Sequence, residues 1–247
     1  MISAHDLGGS VPHTPVPAPR RYATEFIATA ILVIVGCGAS ILGNASGAFG
    51  MGPIACAFGG VVALLVVSFG ATSGAHINPA VTIAFWSVRQ FPPRDVIPYI
   101  VAQCTGAVFG AFLLRVYFGL DAHFAATLPT VSTAAAFAME LGYSFVLALV
   151  VAVVSSRKTL SLKIPPIAIG FTVLIGAYLT GPLSGGSFNP ARSLGPAVVS
   201  GVWVNHWIFW VAPIVGMLCA MQLHHRLWPV QSQLAIDIVA KGVEGPL

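Results

Sequence analysis

The triplet Asn-Pro-Ala occurs twice in this chain, at Asn78-Pro79-Ala80 and Asn189-Pro190-Ala191, both times inside long apolar sequence. The interval is 189 − 78 = 111 residues, and other landmarks repeat at nearly the same spacing. Glu25 is answered by Glu140, an offset of 115, and Ala102-Gln103-x-x-Gly106 by Ala212-Pro213-x-x-Gly216, an offset of 110. Ser73-Gly74-Ala75-His76-Ile77 before the first triplet resembles Ser184-Gly185-Gly186-Ser187-Phe188 before the second. One recurring tripeptide would mean little; recurrence together with acid and glycine landmarks makes the chain two copies of one pattern.

The solvent around that pattern is lipid. Of 247 residues, 57% are hydrophobic and 7% charged, where a soluble domain carries about 25% charged residues. Six runs reach the roughly 20 apolar residues needed to span a bilayer: Tyr22–Leu42, Pro53–Gly70, Val96–Phe118, Ala134–Ser155, Pro165–Leu183 and Trp207–Leu227. Their aromatics, glycines and prolines suit helices rather than the alternating strands of a barrel. The first run follows some twenty Pro- and His-containing residues and is too long for a signal-peptide core, so it is read as a retained span. The expected organisation is a disordered tail over 1–20, one channel domain over 21–228 (repeats about 21–120 and 134–228), and a second tail over 229–247. His5 and His13 in the first tail are read as solvated, not as a metal site.

Three spans per copy is an odd number, so the second copy enters the membrane inverted, and the functional site is expected near the midplane where the copies meet. Nine of the eleven Lys and Arg (Arg20, Arg21, Arg89, Arg94, Arg157, Lys158, Lys163, Arg226 and Lys241) then fall on one side. The positive-inside rule makes that side cytoplasmic, with both termini inside the cell membrane. The net charge of +4 thus reports topology and gives no reason to expect nucleic acid as a partner. Cys37, Cys56, Cys104 and Cys219 lie in apolar spans without a CxxC pair and read as small packing residues. No cofactor or metal is implied.

After each triplet comes a segment about half as long as a span, Val81–Val88 and Arg192–Val199. Such re-entrant half-helices are tolerated at membrane depth when they are buried in protein or line a wet cavity. Asn is a preferred N-cap and Pro is favoured in a first turn, so Asn78-Pro79 and Asn189-Pro190 read as helix starts. Two opposed half-helices bring two positive dipole ends to the membrane centre, where the Asn amides offer N–H donors to a passing oxygen and cations are repelled.

SGAHINPAVTIAFW and SGGSFNPARSLGPAVVSG resemble the two signature loops of the aquaporin (major intrinsic protein) family, and the likeness extends from about Arg21 to Trp228. It implies an all-α bundle of six transmembrane helices plus two re-entrant half-helices. It also implies a homotetramer with one pore per subunit, passing water or small neutral solutes and excluding protons and ions, with no enzyme activity. Within it, Glu25, Glu140 and His76 support the loops; alternatives read from the residues alone are a proton relay for the glutamates and a pH-sensitive group for His76.

Counted from the triplets, the family's constriction falls on Phe58, Ala177, Gly186 and Arg192. Strict water channels of the family carry His at the Ala177 position, so the opening here is expected to be wider and less polar. Ser193, Ala197 and Phe209-Trp210 resemble the water-selective branch, whereas SGAHINPAVTIAF is similar to plant nodulin-26-like channels, some of which pass metalloid acids. The expected function is a passive water channel with room for small neutral solutes. The alternatives are an aquaglyceroporin or metalloid-acid channel with water secondary and, more remotely, an inverted-repeat secondary transporter.

Overall fold

The computed structural model describes residues 16–47, 50–119, 125–157, 160–161 and 163–228; most of both expected tails lies outside the described residues. Those residues form eight helices: α1 Ala18–Ser46, α2 Met51–Ser73, α3 Pro79–Ser87, α4 Pro93–Phe118, α5 Thr133–Ser156, α6 Ile164–Ser184, α7 Pro190–Ser200 and α8 Ile208–Leu227. Six are long and apolar enough to cross a membrane. The other two, α3 and α7, have 9 and 11 residues, about 14 and 17 Å at the helical rise.

The packing repeats as the sequence does. Helix α1 packs on α4 as α5 packs on α8, and each half-helix crosses into the other copy, α3 lying against α8 and α7 against α4. Between spans in lipid, association depends on close approach rather than on expulsion of water, and small residues permit it. A Cβ on Gly106 would lie 2.2 Å from the Phe26 carbonyl oxygen, and one on Gly216 would lie 2.3 Å from that of Leu141. These are the glycines matched in the sequence repeat, and each closes its own copy. Gly59 and Gly170, 170 − 59 = 111 residues apart, do the same between copies: a Cβ on either would meet the other's carbonyl oxygen at 2.5 Å. The symmetry of the fold therefore runs between α2 and α6 at this pair.

Side chains from the spans also close the free ends of the half-helices. Gln222 of α8 donates to the Ser87 carbonyl at 3.0 Å, and Arg115 of α4 donates to the Val199 carbonyl at 3.0 Å. Both sites are helix C-termini, where unpaired carbonyls and the negative dipole end favour such donors. Outward faces carry Leu64, Val67, Ile97, Val116, Ile167 and Phe171, all exposed. Trp203, Trp207 and Trp228 are exposed at the span ends, where amphipathic rings suit a membrane interface.

Candidate functional site

Each loop before a half-helix folds around a buried glutamate. Glu25 Oε1 accepts from Ser73 Oγ (2.7 Å) and the His76 N–H (3.0 Å), while Oε2 accepts from the Ile77 N–H (2.7 Å) and Gln103 Nε2 (2.8 Å). Glu140 repeats this on Ser184 Oγ (2.8 Å), Ser187 N–H (3.0 Å) and Phe188 N–H (2.8 Å). Both glutamates are fully buried, and these donors are what makes a carboxylate tolerable there. The clamp also holds a backbone that a side-chain-bearing residue resists: Ile77 and Phe188 sit at φ of 45° and 52°.

That conformation delivers each Asn to the start of its half-helix. Asn78 Oδ1 caps the Ala80 N–H at 2.9 Å, and Asn189 Oδ1 caps those of Ala191 and Arg192 at 3.0 and 3.3 Å. Each amide nitrogen reaches across to the opposite loop: Asn78 Nδ2 donates to the Phe188 carbonyl at 2.8 Å and Asn189 Nδ2 to that of Ile77 at 2.7 Å. One N–H of each amide is thereby used, and the second has no protein partner among the described residues. Pro79, Ala80, Pro190 and Ala191 are buried in the first turns.

Both Asn residues line a cavity of about 390 Å³. One wall is loop: Gly74 to Asn78 and Gly186 to Asn189. The other is aliphatic, with Leu32, Val62, Leu147, Ile169 and Val173. The cavity departs from twofold symmetry in its chemistry. Phe58 corresponds to Ile169 and Arg192 to Val81, each 111 residues apart, so an aromatic ring and a cation in one copy are matched by aliphatic side chains at the same positions of the other. The Arg192 guanidinium carbon stands 4.8 Å from the Phe58 ring centroid, and Nη1 donates to Thr127 Oγ1 at 2.6 Å. Arg192 is buried, has no carboxylate partner among the described residues, and its Nε bonds to no protein group.

His76 also lines the cavity, its ring stacked on Phe85 at 5.1 Å. Thr82 Oγ1 donates to the Asn78 carbonyl (3.2 Å) and accepts from Gln103 (3.0 Å). His76 Nδ1, 3.1 Å from that hydroxyl, is therefore the donor to it, and Nε2 is left as the acceptor. Of the four constriction residues named from spacing, Phe58, Gly186 and Arg192 line the cavity. Ala177 is buried and is not among the lining residues; α6 contributes Val173, one turn away. Thr127 stands in a connecting segment without a motif, and no local signal in the sequence marks it or the role of Arg115.

A family model, Major intrinsic protein, matches residues 13–224. The chain belongs to the major intrinsic protein family. Its members are channels, and this chain is a multi-pass membrane channel protein, not an enzyme. Aquaporin NIP1-1 of Zea mays is 37% identical over 213 residues, covering 85% of this chain and 76% of the relative. Nodulin-26 of Glycine max is 36% identical over 212 residues, covering 85% and 78%. Among solved structures, the aquaglyceroporin from Plasmodium falciparum superposes with a TM-score of 0.79 at 25% identity, over 88% of this chain and all of that one.

Proposed function

We propose that this chain is a passive channel for water whose opening also admits small uncharged solutes. The observation that carries the reading is the pair of half-committed amides: Asn78 and Asn189 each bond the opposite loop with one N–H and line the cavity with another unpartnered. Two donors at the meeting point of two helix N-termini accept an oxygen lone pair and repel a cation. A water held there by its oxygen cannot also donate toward the amides, which opposes proton hopping along the file. Arg192 over Phe58 forms the narrow end, and Ala177 and Gly186 leave it wider than a His-containing filter would be. Glu25, Glu140 and His76 hold the loops in shape. The channel works as a homotetramer in the cell membrane with both termini cytoplasmic.

A second reading, a glycerol or metalloid-acid channel with water secondary, is supported by the small Ala177 and Gly186 and by the likeness to nodulin-26. Parallel stopped-flow permeabilities of proteoliposomes to water, glycerol and boric acid separate the two. Fast, non-saturating water flux with a low activation energy supports the first. Glycerol or boric acid flux with negligible water flux supports the second, and saturable, ion-coupled uptake without water flux sinks both.

A further inference from the structure

We propose that Thr127 is a positioning residue of the channel, a hydroxyl brought from the α4–α5 connection to hold the Arg192 guanidinium against the wall of the opening. The inference rests on reading Arg192 as the narrow end of the permeation path.

The hydrogen-bond order leaves Thr127 a single role. Arg192 Nη1 lies 2.6 Å from Thr127 Oγ1; Thr127 Oγ1 lies 2.8 Å from Ser193 Oγ; Ser193 Oγ is bonded to Ser187 Oγ; and Ser187 Oγ lies 2.9 Å from the Asn189 carbonyl. A guanidinium only donates and a carbonyl only accepts, while each hydroxyl has one proton to give. Fixing the two ends orients every link: Arg192 donates to Thr127, Thr127 to Ser193, Ser193 to Ser187, and Ser187 to the Asn189 carbonyl. Thr127 therefore always turns a lone pair to Arg192, and the chain ends on the residue that caps α7. Thr127 and Ser187 are 7% exposed and Ser193 0%, so water does not readily substitute for a missing link.

The segment that carries Thr127 is fastened for this purpose. The Thr130 N–H donates to the Leu183 carbonyl at 2.8 Å and Thr130 Oγ1 to that of Pro182 at 2.7 Å, which ties the segment to the end of α6. Gly185 leaves the room for Thr127: a Cβ there would lie 2.3 Å from Thr127 Cγ2. Among the described residues, the other copy has nothing comparable. Its equivalents of Ser187 and Ser193 are His76 and Thr82, closed off by Gln103, and Val81 stands where Arg192 does. Among the described residues, the additional link stands in the copy that has a cation at this position.

A guanidinium without this acceptor keeps only the Phe58 face and swings across the opening. The test measures osmotic water permeability per channel in proteoliposomes, normalised to reconstituted protein. Thr127→Val keeps the shape and removes the hydroxyl; Thr127→Ser keeps the hydroxyl. Thr127→Val is expected to lower permeability about 3- to 10-fold, Thr127→Ser to stay within about 2-fold of the parent, and Thr127→Val to add nothing in an Arg192→Val background. Parent-like flux in Thr127→Val, loss in Thr127→Ser, or the same loss in the Arg192→Val background each overturns the proposal. Should Thr127→Val not assemble, Thr127→Ala, which adds no bulk, makes the same three comparisons. If Arg192→Val alone changes neither water flux nor solute selection, the reading of the narrow end fails, and this is distinguishable because it appears without any change at Thr127.

Discussion

The guanidinium of Arg192 lies over the ring of Phe58, 4.8 Å from its centroid, and the ring is free to lie there because Gly36 of α1 has no side chain. A Cβ on Gly36 would stand 2.2 Å from Phe58 Cε1. Gly36→Ala is therefore expected to push the ring toward Arg192 and narrow the opening. Glycerol permeability should fall more than water permeability, with a loss of about 1–3 kcal/mol in stability from overpacking. Equal losses of both fluxes, or none, would show that this ring does not set the bore.

Arg192→Val removes the one cation that lines the cavity among the described residues. With the helix N-termini and the Asn amides still present, water flux should persist while leak of protons or small cations rises. The leak is read as dissipation of a pH gradient across proteoliposomes. An unchanged leak together with unchanged solute selection would remove Arg192 from the path.

The Asn-Pro-Ala turns, the three-span copies and the buried glutamates were legible in the sequence because each is a short-range or repeated signal. An N-cap before proline fixes a helix start wherever it occurs, and a carboxylate in an apolar run needs donors, which the neighbouring Gly-rich loops provide. Thr127 and Gly36 were not legible as parts of the site, nor Arg115 as the group that closes α7. Nothing local marks them; each acquires its role from a partner brought close only by the tertiary fold: Arg192, Phe58 and the Val199 carbonyl, respectively. Ala177 is an intermediate case, since spacing from Asn189 names the position while the neighbouring turn of α6, through Val173, lines the cavity.

That case sets a test of its own. Ala177→His adds an imidazole one turn from Val173, and if this turn of α6 borders the opening, the ring crosses part of it. Glycerol flux should drop about tenfold or more, equivalent to somewhat over 1.4 kcal/mol in the barrier, while water flux remains. Unchanged glycerol flux would move the constriction to a different set of residues.

Glu25→Gln replaces one of two acceptor oxygens with a donor, facing N–H and O–H groups that need acceptors. The cost is expected to be about 3–5 kcal/mol, as for breaking a buried charged network. It should show as a lower melting temperature in detergent and as loss of water flux per folded channel. Glu140→Gln should act in the same direction through Ser184, Ser187 and Phe188. Full flux with parental stability in both would show that the loops hold their shape without these carboxylates.

His206, between α7 and α8, gives the stability of the fold a dependence on pH. Its Nε2 accepts from Trp210 Nε1 at 3.2 Å, and burial holds its pKa below the ordinary 6.5. Between that lower folded value and 6.5 the unfolded chain binds more protons than the native one, so stability rises with pH across the window. The contribution is intact above 6.5 and is lost as pH falls through the folded value. Melting temperature should therefore decline on acidification below about pH 6.5, and His206→Gln, which retains an acceptor but does not titrate, should flatten part of that slope. An identical slope in the variant would assign the pH dependence to other groups.

The glycine contacts between spans predict a graded series in which position outweighs composition. Gly106→Ala and Gly216→Ala each place a methyl within about 2.3 Å of a backbone carbonyl oxygen on the facing helix, which no rotamer change can relieve. Gly59→Ala and Gly170→Ala do so at 2.5 Å across the interface between the two copies. Gly60 is adjacent in sequence to Gly59, yet a Cβ there meets nothing within 4 Å. Gly60→Ala should thus be neutral or slightly stabilising, since alanine favours helix by about 1 kcal/mol over glycine. The four contact substitutions should each cost about 1–3 kcal/mol or prevent assembly, read as yield of monodisperse protein and as melting temperature. Because Gly59 and Gly170 face one another, the cost of their double substitution should depart from the sum of the singles, whereas Gly106→Ala with Gly216→Ala, which close different copies, should add. Additivity at both pairs would place the copies farther apart than this packing allows.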